Sequence, residues 1–185
     1  MNWQEYFQLF DTIITAKVQA VPYDNPLYLE YTKLNYSRSK RWLKHSELTF
    51  DSIECLKQIK EKQNWILITE HWCGDAAHVT PIIYLLSKIN PLIEIQIQLR
   101  DSNSEIDNYL TNGGKSIPKL IIRDKNNKDL ITWGPRPKEC QVVFDQLKEK
   151  NADFEEMKIK LQEWYNQDKS ISIQKEICET IKSII

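Results

Sequence analysis

The stretch from Trp65 to Pro81 constrains the fold more than any other part of this chain. Trp65-Ile-Leu-Ile-Thr69 is a run of apolar and β-branched residues, which reads as a buried strand, and Asp75 to Leu86 reads as a helix. Between them lies Trp72-Cys73-Gly74, so a thiol falls where a strand hands over to a helix N-terminus. The first N–H groups of a helix have no partners within it, and the helix dipole favours negative charge there. A thiolate is therefore expected to be stabilised, and Cys73 is a candidate nucleophile.

The flanking sequence divides by glycine content. The four glycines are Gly74, Gly113, Gly114 and Gly134, so tight turns concentrate in the middle and the glycine-free ends read as helical. Trp3, Tyr6, Phe7, Phe10, Ile13 and Ile14 recur at helical spacing, and Asn25-Pro26 can start a second helix through a stretch rich in tyrosine. A basic run, Arg38 to His45 with Trp42 inside it, reads as the solvated face of that helix. Asp51 or Ser52 can cap a third helix that ends at Asn64. Ile93 to Leu99 alternates strictly with polar residues, which predicts a strand buried on one face and lying at a sheet edge. A short helix through Ile106 and Leu110 follows. Lys119–Arg123 and Asp129–Trp133 read as two strands joined by a tight turn. One long helix is expected from Val143 to Trp164, and a last one over Ile173 to Ile184. The order predicts an α/β chain with a mixed central sheet, helices on both faces, and added N- and C-terminal helices.

Composition excludes some partners. Twenty-five basic and twenty-six acidic side chains leave a net charge of −1, which argues against binding dominated by nucleic acid or an anionic membrane. The N-terminus has neither a basic nor an apolar leader segment, and no apolar run reaches membrane-spanning length, so a cytoplasmic protein is expected. Cys55, Cys73, Cys140 and Cys178 are scattered as in a protein of a reducing compartment, and lack the paired spacing of structural zinc sites. His71, Cys73, Asp75 and His78 are ligand types, but at a strand-helix junction they point in different directions, so no metal and no other cofactor is expected.

Four features together resemble the thioredoxin superfamily over about residues 50–150. Trp72-Cys73-Gly74 is similar to the family's Trp-Cys-Gly-Pro-Cys site, Pro81 to the proline in the active-site helix, Ile117-Pro118 to the cis-proline before the hairpin, and Gly134 to the glycine after it. The implied division is an N-terminal helical extension at 1–49, a thioredoxin-like domain at 50–150, and C-terminal helices at 151–185 packed on that domain. The resemblance implies that Cys73 is catalytic and that Trp72, Gly74, Asp75, Ile117, Pro118 and Gly134 form a substrate groove.

Three departures restrict the implied chemistry. Ala76 stands where the family carries its resolving cysteine, Leu67 where it carries a buried acid, and Asp75 where it carries proline. A disulfide attacked by Cys73 then lacks the usual internal release step. The expected activity is monothiol thiol-disulfide exchange with a protein disulfide or a small thiol such as glutathione, resolved by an external thiol. The alternative is a redox-inactive binding module. Asp75 is expected to oppose the thiolate, Glu70 to add to that opposition, and His71, if protonated, to counter it.

Overall fold

The computed structural model describes residues 1–185. Seven α-helices and four strands run in the order α1 (Trp3–Thr15), α2 (Pro26–His45), α3 (Phe50–Lys57), β1 (Gln63–Thr69), α4 (Gly74–Ser87), β2 (Ile93–Leu99), β3 (Lys119–Arg123), β4 (Asp129–Trp133), α5 (Lys138–Glu149), α6 (Phe154–Asp168) and α7 (Ile171–Lys182), with a 3-10 turn at Glu105–Asn108. The strands form one mixed sheet in the order β2-β1-β3-β4. β1 is parallel to β2 and antiparallel to β3, and β3 pairs antiparallel with β4. This is a thioredoxin-like α/β architecture.

Strand alternation divides the core. Trp65, Leu67, Leu120 and Ile122 face one way and join Leu56 of α3, Ile82, Ile83 and Leu86 of α4, and Ile173, Ile177 and Ile181 of α7 in the larger apolar cluster. Ile66, Ile68 and Ile121 face the other way, where Cys73, Ala76, Ile106 and Ile117 cover them. β1 reads as continuously apolar because both of its faces are buried.

β2 is an edge strand, in keeping with its alternation. Part of that edge is covered by Met1, whose carbonyl accepts from the Ile97 N–H at 2.8 Å while its amino group donates to the Ile97 carbonyl at 2.9 Å. Trp3 of α1 stacks on Tyr84 of α4 at 4.2 Å between centroids. The C-terminal helix does not share the β2 edge; α7 packs on α3, α4 and β4.

Two helix boundaries differ from the sequence reading. The cap of α3 is Thr49, whose hydroxyl accepts from the Ser52 N–H, so the helix starts ahead of Asp51. The long helix expected over residues 143–164 is two. Asn151 adopts a left-handed conformation (φ +53°), and Asp153 caps α6 by accepting from the Glu156 N–H at 2.8 Å. Apolar residues at helical spacing continue across the break, and periodicity alone therefore joins the two helices.

Candidate functional site

Cys73 occupies the N-cap position of α4 and makes no side-chain cap. It is only 8% exposed. Its Sγ donates to the Ile117 carbonyl at 3.5 Å, as a protonated thiol does. Burial is the main cause that pushes this thiol up to about 12, and the Asp75 carboxylate pushes in the same direction. The Ala76 and Asp75 N–H groups at the helix start and the Arg136 guanidinium act the other way, but they favour the thiolate by less. The expectation of a stabilised thiolate is therefore reversed in the resting protein: desolvation outweighs the helix N-terminus.

Asp75 is bound from two distant elements. Its Oδ2 lies 2.7 Å from Nη2 of Arg136, in the turn after β4, and its Oδ1 accepts from the Tyr165 hydroxyl of α6 at 2.9 Å. The Arg136 guanidinium also lies over the Phe144 ring at 4.0 Å. Glu70 is buried, which raises its carboxyl to about 7, and it accepts from the Asp101 N–H at 2.9 Å. His71 does not counter these acids. Burial lowers it to about 4, so it is neutral, with Nε2 donating to the Tyr6 carbonyl at 3.0 Å and the ring stacked on Tyr6. His78 is held neutral in the same way: burial first, then Arg38 and Arg41, lower it to about 3. Its Nδ1 accepts from Trp42 Nε1 at 2.8 Å, and its ring stacks on Tyr165. No group of three or more His, Cys, Asp or Glu side chains is arranged around a common point.

The loop before β3 completes the site. The Ile117–Pro118 bond is cis, and Ile117 and Pro118 stand beside the thiol and Gly134. Gly134 has φ +111°, and a Cβ there would overlap the Pro118 carbonyl oxygen, so the position accepts only glycine without a shift. The Trp72 ring meets Tyr28 of α2 edge-on at 5.3 Å, and the Arg100 guanidinium lies 4.6 Å from it. Gly74 is exposed at the first turn of α4.

Two cavities meet at Trp72, Cys73, Asp75, Arg136 and Phe144. One, of about 480 Å³, runs past Ile117, Pro135, Lys115 and Lys148. The other, of about 660 Å³, lies under α2 and α6 and is walled by residues such as Tyr31, Phe154, Met157 and Leu161. The predicted groove residues Trp72, Asp75 and Ile117 are therefore gathered around Cys73. The added helices contribute a wall that local sequence reading does not reveal. Arg136, Arg38 and Tyr165 were missed for the same reason: nothing in Gly134-Pro135-Arg136-Pro137 or along α6 marks a residue that will reach α4.

Of the other cysteines, Cys55 and Cys178 lie away from the site, whereas Cys140 neighbours Asp75, Arg136 and Tyr165. Cys55 donates to the Cys178 carbonyl at 3.5 Å, and both belong to the large cluster on the opposite side of the sheet. Cys140 is fully buried, and burial raises its thiol to about 12. All four are free thiols.

A search of curated proteins finds no match to this chain. Among solved structures, it superposes on a protein of unknown function from Pseudomonas aeruginosa with a TM-score of 0.57 and 14% identity, covering 100% of this chain and 99% of that one. It also superposes on an HIV epitope scaffold with a TM-score of 0.55 and 14% identity, covering both chains in full. At that identity the likeness is one of fold. A family model described as thioredoxin matches residues 22–158, from the link before α2 into α6, which is more than half of the chain. With the strand-thiol-helix junction and the mixed sheet, this match makes the chain a member of the thioredoxin family.

Proposed function

We propose that this thioredoxin-family protein acts as a binding module, taking a small molecule into the cavity beside Cys73 with the thiol protonated. The observation that carries the reading is the state of Cys73: nearly sealed, next to the Asp75–Arg136 pair, and donating to a carbonyl, with a cavity of about 660 Å³ opening on it. That volume lies within the range of about 300–1,000 Å³ usual for small-molecule sites. Ala76 leaves no resolving thiol one turn along α4, and Leu67 leaves no buried acid beneath it. The test is the rate of Cys73 alkylation by iodoacetamide across pH, with Cys73→Ser as the control. Alkylation that stays slow at neutral pH and rises only above about pH 10 supports the reading; fast neutral-pH alkylation that disappears in the mutant overturns it.

A second reading is monothiol exchange at Cys73 with a protein disulfide or a small thiol such as glutathione, released by an external thiol. The N–H groups of Asp75 and Ala76, at the helix start beside the sulfur, favour it, because they would hold the thiolate once water or substrate reached it. Trp72, Gly74, Asp75, Ile117, Pro118 and Gly134 would then frame the substrate. On this reading Ala76→Cys should gain the ability to reduce a disulfide substrate, whereas an inert variant counts against it. Both readings place the protein in the cytoplasm, which four buried free thiols support.

A further inference from the structure

Two buried N–H groups without any hydrogen-bond partner belong to residues lining the larger cavity: Trp72 Nε1 and Arg136 Nε. Buried polar groups are normally paired, because leaving one unsatisfied costs about 1–3 kcal/mol. Two unpaired donors in the lining of one cavity point to a ligand that supplies acceptors.

The charges of the lining define that ligand further. Arg136 is neutralised by Asp75, and Lys158 is paired with Glu155 at 2.7 Å. Arg38 is different: its Nη1 donates to Asn35 Oδ1 at 3.1 Å, and no carboxylate lies within ion-pair distance. Burial, and then its neighbour Arg41, lower its pKa, as expected for a partly desolvated cation with no counter-ion. The cavity therefore holds one uncompensated positive charge. Most of its remaining wall is apolar, including Phe144, Phe154, Met157 and Leu161.

Resting on the binding reading above, we infer that this cavity takes an amphipathic monocarboxylate, with its head at Arg38 and the donors of Trp72 and Arg136 and its apolar body along Leu161 and Met157. A carboxylate offers two acceptor oxygens and one charge. A phosphate monoester would bring close to two charges against a single unpaired guanidinium.

The experiment titrates the full-length protein with decanoate, decanol and decyl phosphate, by calorimetry, keeping the two anions below their micellar concentrations and decanol below its solubility limit. Decanoate is expected to bind about tenfold or more tighter than decanol. Arg38→Met should remove that preference and leave decanol affinity within about twofold, which also reports that the variant is folded. Equal binding of decanoate and decanol rejects the anion site while leaving a small-molecule cavity in place. Tighter binding of decyl phosphate rejects the monoanion, and binding of none of the three rejects the inference. Cys73 alkylation is a separate readout, so failure of the binding reading is seen independently of these outcomes.

Discussion

Nη2 of Arg136 lies 2.7 Å from Oδ2 of Asp75, joining the turn after β4 to the first turn of α4 two residues beyond the thiol. The side chains are 14% and 8% exposed, so the pair is largely withdrawn from water. Its charge cancellation lets an acidic residue sit beside Cys73 at the mouth of an apolar cavity.

Asp75→Asn removes the anion from the neighbourhood of Cys73 and leaves Arg136 unpaired. The thiol should then ionise at lower pH, visible as a leftward shift of the alkylation profile. Stability should fall by about 3 kcal/mol, because breaking a buried pair strands its partner. An unchanged alkylation profile in a folded variant would show that Asp75 has no hold on the thiol.

Gly134→Ala tests the close approach behind the Ile117–Pro118 loop. The new methyl must displace the Pro118 carbonyl at a left-handed position, which should cost about 2 kcal/mol or more in urea unfolding. Gly74→Ala is the paired control, since nothing lies within 4 Å of a Cβ placed there. Equal losses for the two variants would refute the packing argument.

Acid should destabilise the protein through its histidines. Folded values of about 4 for His71 and about 3 for His78 lie below the ordinary 6.5, so the unfolded chain binds more protons as pH falls below about 6.5. Their contribution is complete above that pH and is lost on acidification, down to about 4 for His71 and about 3 for His78. Glu70 acts in the opposite sense: its folded value of about 7 lies above 4.5, so its contribution is greatest at low pH and falls as pH rises from about 4.5 to about 7. Two histidines against one carboxyl leave a net loss on the order of 1 kcal/mol per pH unit between about pH 6 and about pH 5. Glu70→Gln removes the opposing group and should steepen that loss about twofold in thermal melts. A melting temperature independent of pH over this range would contradict the neutral, buried histidines.

Much of the fold is legible in local pattern. The alternation of Ile93 to Leu99 marks an edge strand because a side-chain period of two reports one buried face, and the unbroken Trp65–Thr69 run marks the central strand because both its faces are covered. The break at Asn151 escaped this reading because apolar residues keep helical spacing through it. At the site, Cys73, Trp72 and Ile117 were recognisable from motif order, whereas Arg38, Arg136 and Tyr165 come from elements far apart in the chain.

The sequence by itself determined that a thiol stands at a strand-to-helix junction without a second cysteine one turn on, since both facts are local. Only the tertiary structure decided the state of that thiol. The helix N-terminus acts within one turn, but packing against residues far along the chain, the Ile117 loop among them, buries the thiol, and that desolvation outweighs the dipole and the attraction of Arg136. The same long-range packing of α2 and α6 builds a cavity over Cys73, which no period or motif along the chain encodes.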